Sequence, residues 1–230
     1  MDQNTLVIVA ADKGGVGKTT VSRLLIDYIE TQKLADLKLY DTEFPRGSLK
    51  RFYPQAEIVD LENIRDQMKI IDGISFNNNV TIIDVCAGLL SPTLKMFSKI
   101  GLLEAVRAGQ LNLVILHVLG ASISSLSEIT ETIQIIQGAK YYLVKNHIND
   151  GAFFDWDPNI TAALSMAPMI EIPRLEEMAG EYIDQAGTSY SQYINGVGGS
   201  FVLKGFTRDW LKAVYTEFDR VKMKELLLRG

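Results

Sequence analysis

Apolar residues in this chain fall in short unbroken runs, separated by stretches in which they recur every three to four positions. The runs occupy residues 5–10, 37–41, 56–60, 79–84, 111–118, 140–145 and 167–172. Runs of this length without polar alternation are the pattern of strands covered on both faces. Between them, Val21, Leu24, Leu25 and Tyr28 stand at i, i+3, i+4 and i+7, which lays one apolar stripe along a helix. Leu211, Val214, Phe218 and Val221 repeat the spacing inside a helix expected over residues 206–228. Strand and helix in alternation predict an α/β fold, a mainly parallel sheet with helices on both faces, in a single domain over residues 1–230. The pattern lapses at 187–205, where Gly187, Gly196, Gly198, Gly199 and Gly205 stand among Ser and Tyr; a mobile loop is expected there.

Composition narrows the class. The chain has 230 residues, 47% of them hydrophobic, only six prolines and a net charge of −5, which fits a compact core and excludes a disordered chain. No apolar run reaches the ~20 residues of a membrane-spanning helix and no secretory leader is evident, so a cytoplasmic location is expected. Cys86 is the single cysteine, which excludes an internal disulfide and any metal site built from paired cysteines of one chain. The acidic balance speaks against an extended nucleic-acid surface. Residues 208–230 depart from it, with six basic side chains against four acidic. They suit either DNA or anionic lipid, or a helix packed through Trp210, Leu211, Val214 and Phe218 with its charges in solvent.

The candidate chemistry begins directly after the first run, at Asp12-Lys13-Gly14-Gly15-Val16-Gly17-Lys18-Thr19-Thr20. Glycines let backbone N–H groups close around an anion, and the helix start adds its positive dipole end. Lys18 and Thr19 stand where a phosphate loop supplies phosphate and magnesium contacts. The predicted ligand is a Mg-nucleoside triphosphate. The ordinary G-x-x-x-x-G-K-[ST] pattern would place its first glycine at position 12, where this chain has Asp12. A second glycine-rich string, Gly196-Val197-Gly198-Gly199-Ser200, lacks the Gly-Lys-Thr ending and is not read as a phosphate site.

The string from Lys13 to Thr20 resembles the deviant Walker A box of the ParA/MinD family of P-loop ATPases. The resemblance implies ATP and Mg2+ as ligands, held by Gly14, Gly15, Val16, Gly17, Lys18, Thr19 and Thr20, with Lys13 reaching a partner's nucleotide across an ATP-dependent homodimer. It continues at Asp41-Thr42-Glu43, similar to switch I, where Asp41 supports the magnesium shell and Glu43 stands in for the aspartate that orients water. Val80-Thr81-Ile82-Ile83-Asp84 followed by Val85-Cys86-Ala87-Gly88 resembles Walker B and switch II, with Asp84 on magnesium through water and Cys86 where relatives carry proline. By the same resemblance, Lys13, Lys18 and Glu43 carry catalysis and Thr19, Asp41 and Asp84 hold the metal. Asn146 recognises the base, and Pro173 and Arg174 close its pocket. Cys86 reads as a small packed residue, and His117 and His147 as packing or surface residues without metal-ligand spacing.

The implied function is an ATP-driven dimerisation switch in plasmid or chromosome partitioning or cargo positioning. It would hydrolyse ATP slowly under stimulation by a protein partner and bind nonspecific DNA in preference to a membrane surface. Two alternatives stay open. Asp12, Glu43 and Cys86 depart from the family pattern and suit a weakly hydrolysing adaptor in conjugative or plasmid processes. A small-molecule ATP-dependent ligase shares the same kind of sheet. Phe153, Phe154 and Trp156 form an aromatic cluster that fits either a partner contact or a buried loop anchor.

Overall fold

The computed structural model describes residues 4–74, 80–120, 124–148, 165 and 167–228. The aromatic cluster at 153–156 and residues 75–79, which include the start of the 79–84 run, lie outside the described residues. Seven strands, β1 (Thr5–Ala10), β2 (Leu37–Asp41), β3 (Glu57–Ile58), β4 (Val80–Asp84), β5 (Asn112–Val118), β6 (Lys140–Asn146) and β7 (Met169–Ile172), form one sheet in the order β3-β2-β4-β1-β5-β6-β7. Every pairing is parallel. The expected sheet is therefore present, with each apolar run supplying one strand. The run at 56–60 shortens to two paired residues at the sheet edge, where β3 meets only β2.

Nine helices are described: α1 (Lys18–Gln32), α2 (Ile64–Ile74), α3 (Leu90–Lys99), α4 (Leu102–Arg107), α5 (Ser124–Ile135), α6 (Glu177–Ala186), α7 (Tyr190–Asn195), α8 (Phe201–Arg220) and α9 (Met223–Leu228). They cover both faces because each strand sends alternate side chains to opposite sides. Val7 and Val9 of β1 pack with Leu24, Tyr28, Trp210, Val214, Phe218 and Leu227 of α1, α8 and α9. Leu6, Ile8 and Ala10 of the same strand face Ile70, Leu94, Phe97, Val106 and Ile129 of α2 to α5. All six residues of β1 are buried, which is why its sequence shows no polar alternation.

Two expectations near the C-terminus change. Residues 187–205 are not loop throughout, because α7 forms within them. Ser189 caps that helix in a reciprocal capping box with Gln192, and Tyr190 is buried. The helix expected over 206–228 begins earlier, at Phe201 capped by Ser200, and breaks between Arg220 and Met223 where Lys222 takes a φ of 56°. Trp210, Leu211, Val214 and Phe218 are all buried, so the packing alternative holds for that face.

Candidate functional site

Parallel strands present their carboxyl ends along one edge of the sheet, and the loops that leave those ends gather there. The pairing register sets Asp41 of β2 directly beside Asp84 of β4, with β1 and the glycine loop on the other side of β4. Gly17 ends the loop in the left-handed region, with φ 88°, and Lys18 opens α1. Only glycine suits position 17, since a Cβ there would lie 2.0 Å from Asn146 Nδ2 as well as straining the backbone.

The Thr19 hydroxyl donates to Asp84 Oδ2 at 2.8 Å. Asp84 is buried and its other oxygen, Oδ1, has no hydrogen-bond partner. Burial pushes the Asp84 carboxyl up to about 7 and the neighbouring Asp41 charge adds to this, against the Thr19 hydrogen bond and the Lys18 charge. An orphaned buried carboxylate oxygen next to a hydroxyl is a vacancy in hydrogen bonding that a hydrated divalent cation would fill. Thr19 and Asp84 thus fit a magnesium shell.

Asp41 is differently engaged. Its Oδ1 accepts from Glu43 N at 3.0 Å, and its Oδ2 accepts from Leu49 N at 2.6 Å and Lys50 N at 3.0 Å. Three backbone donors hold both oxygens, so Asp41 organises the 42–50 loop and contributes to the metal region through its charge on Asp84. Glu43 and Lys13 are both exposed. The switch-like loops are stitched together: Cys86 N donates to Thr42 Oγ1 at 2.7 Å, and Gly88 N donates to Ala11 O at 2.9 Å, one residue before Asp12. Cys86 is half-buried, with its backbone used in this link.

Asn146, at the end of β6, donates from Nδ2 to Val16 O at 3.1 Å and so rests on the phosphate loop. A cavity of about 290 Å³ opens beside it, lined by Thr20, Asn146, Pro173, Arg174, Tyr190 and Trp210 among others. Trp210 Nε1 donates to Pro173 O at 2.6 Å, fixing the turn after β7. Arg174 approaches Glu177 at 3.8 Å. One wall is Arg23 of α1, whose guanidinium stands 3.4 Å over the Phe52 ring and 4.5 Å over Tyr190 and pairs with Asp184 at 2.9 Å. The structure thus brings Asn146, Pro173 and Arg174 to one cavity next to the loop.

Sequence reasoning missed one partner of the loop, and the residue behind it. His117, read as a packing or surface residue, is fully buried on β5 and bonds on both ring nitrogens: Nε2 to Asp12 Oδ1 at 3.0 Å and Nδ1 to the Tyr141 hydroxyl at 2.6 Å. A charged residue at the position of the first Walker glycine was the available signal, because an acid beside an anion site needs a donor of its own. His147 approaches Glu171 at 3.6 Å near the surface.

No family model and no curated protein matches the chain by sequence. Solved structures do match by shape. A ParA family ATPase from Chlorobium tepidum TLS is similar over 91% of this chain and 98% of its own, with a TM-score of 0.56 and 11% identity. A nucleotide-binding protein from Archaeoglobus fulgidus, solved in complex with ADP, is similar over 79% of this chain and 86% of its own, with a TM-score of 0.52 and 14% identity. At such identities the likeness concerns architecture, and by its parallel sheet and the glycine loop between β1 and α1 the chain has the ParA/MinD-like fold of P-loop proteins.

Proposed function

We propose that this chain is a nucleotide-dependent switch that binds Mg-ATP, pairs with a second copy through Lys13, and hydrolyses ATP slowly under stimulation by a protein partner. The observation that carries the reading is the buried, partnerless Asp84 Oδ1 beside the Thr19 hydroxyl, at the foot of a glycine loop whose helix begins at Lys18. Magnesium, when bound, neutralises charge on the phosphate oxygens. Thr19 and Asp84 orient its shell, Lys18 and the loop N–H groups hold the phosphates, and Asn146 with the Pro173–Arg174 turn borders the base cavity. Lys13 is exposed, which suits a reach to a partner's nucleotide, and Glu43 supplies the carboxylate for water in the switch I position. The natural setting of such a switch is partitioning of a plasmid or chromosome, or positioning of another cargo, with nonspecific DNA ahead of a membrane as the surface bound.

Molar mass in solution, measured with Mg-ATP and Mg-ADP for wild type, Lys13→Ala and Glu43→Ala, tests this directly. A dimer is expected only with Mg-ATP, absent in Lys13→Ala and longer-lived in Glu43→Ala. Self-association that ignores the nucleotide, or that survives Lys13→Ala unchanged, would sink the switch. The weakly hydrolysing adaptor gains support from one feature: Asp41 is held by three backbone amides and Glu43 is exposed, so no acid of the first switch loop is aimed by its neighbours at an attacking water. Multiple turnovers per minute by the purified protein would remove that alternative.

A further inference from the structure

An acid in a loop that must enclose a polyanion is an electrostatic contradiction, and Asp12 occupies such a position, directly before Lys13. The side chain is drawn onto β5. Its Oδ1 meets His117 Nε2 at 3.0 Å, and the ring continues through Nδ1 to the Tyr141 hydroxyl of β6 at 2.6 Å. An ionised carboxylate only accepts hydrogen bonds, so Nε2 carries the proton, and Nδ1 is then the acceptor of the Tyr141 hydroxyl. This assignment satisfies every donor among the three side chains with a neutral imidazole, while the second Asp12 oxygen, Oδ2, is buried and makes no hydrogen bond among the described residues. His117 is fully buried and Tyr141 nearly so, and burial pushes the Tyr141 phenol above its ordinary range, keeping the hydroxyl a donor. The ring edges also pack, with centroids 5.9 Å apart at 68°. Ala10, two residues before Asp12, is the β-sheet neighbour of His117, so the ring lies beneath the start of the loop by register as well as by contact.

We propose that Asp12, His117 and Tyr141 form a positioning relay that anchors the start of the phosphate loop to β5 and β6 and screens the Asp12 charge from the bound phosphates. The proposal rests on the reading of this loop as a nucleotide site. None of the three touches the reacting atoms; their effect reaches the ligand through the placement of residues 12–14 and through the field at the cradle. The relay also explains why this chain tolerates an acid where the ordinary motif has glycine: Asp12 pairs with a donor that the neighbouring strand supplies.

The test measures Mg-ADP affinity with a fluorescent nucleotide, together with the melting temperature of each variant. His117→Phe keeps a planar ring, somewhat larger, and deletes both nitrogens, leaving the Asp12 charge unscreened; about ten-fold weaker binding is expected. Tyr141→Phe removes the last bond only and should weaken binding by roughly two- to five-fold. Adding Asp12→Asn to His117→Phe removes the unscreened charge and should recover most of the lost affinity, which a merely structural role for the histidine would not allow. Unchanged affinity in His117→Phe, or no recovery in the double variant, overturns the relay while leaving the nucleotide site standing. Wild type that binds neither Mg-ADP nor Mg-ATP overturns both. If His117→Phe does not fold, the imidazole nitrogen NMR shifts of wild type decide: a neutral ring protonated on Nε2 is expected, and a proton on Nδ1 with Nε2 bare overturns the assignment.

Discussion

Asp27 shows how one buried residue ties the nucleotide region to the rest of the molecule. It lies on α1, one turn beyond Arg23, and its Oδ2 accepts from Ser191 N at 2.8 Å while Oδ1 accepts the Ser191 hydroxyl. Burial pushes its carboxyl above the ordinary value, and the Ser191 bonds and the Arg23 charge only partly offset this. A raised native pKa means that protonation favours the folded state. The contribution is complete below the unfolded carboxylate value and is lost as pH rises through the native value. Asp27→Asn cannot titrate, so its melting temperature relative to wild type is expected to rise between pH 4 and pH 7, read by thermal unfolding across that range. A difference that stays constant with pH would show that Asp27 keeps an ordinary carboxyl. At this scale the sequence was informative where chemistry is local. Thr19 and Asp84 could be expected near each other across 65 residues because each falls in a recognisable string, whereas the partner of Asp12 could not, since His117 stands in an apolar run with no motif to mark it.

Among elements, the two switch-like loops are linked by a short bond from Cys86 N to Thr42 Oγ1, at 2.7 Å. Thr42 is buried, and Thr42 N itself pairs with Asp84 O at 3.1 Å, so the start of the loop after β2 is tied both to the end of β4 and to the loop that follows it. Thr42→Val keeps the shape and removes the acceptor, leaving a half-buried N–H unmet. The expected loss is about 1–3 kcal/mol in chemical unfolding, with faster amide exchange at Cys86 than at Val85. Equal exchange at both amides would mean the hydroxyl does not restrain the second loop. The strands were legible as apolar runs because a sheet covered on both faces demands them, down to the two-residue β3. Residues 187–205 were not, because glycine content outweighed a capping signal that was present in Ser189-Tyr190-Ser191-Gln192. The helix there forms because Tyr190 is buried against Trp210, with ring centroids 5.1 Å apart, a tertiary contact that local composition does not encode.

Across the whole molecule the two ends of the sheet divide the tasks. The carboxyl ends carry the loops that surround the candidate nucleotide site, and the amino ends are closed by α9. Thr5 Oγ1 donates to Leu227 O at 2.9 Å, and Asn112 Nδ2 donates to Leu226 O, so the first residues of β1 and β5 hold the final helix across a separation of 222 residues in the longer case. Met223, Leu226 and Leu227 are buried in the same core cluster as α1. The basic side chains of 208–224 therefore sit on a segment whose buried apolar side chains are already used, while Leu228 and, earlier on α8, Phe201, Val202 and Phe206 stay exposed. This division makes stability and ligand affinity separable. Leu227→Ala removes a buried side chain worth about 2–5 kcal/mol, which corresponds to roughly 5–15 °C in melting temperature for a domain of this size. Mg-ADP affinity should stay within about two-fold, because a cost confined to the amino-end core does not discriminate between the nucleotide-bound and nucleotide-free states. Parallel measurements of melting temperature and affinity on the same variant check both halves. A large loss of affinity with little loss of stability would show instead that α9 reaches the nucleotide site through α1, whose core cluster it shares, and that the two ends of the sheet are coupled.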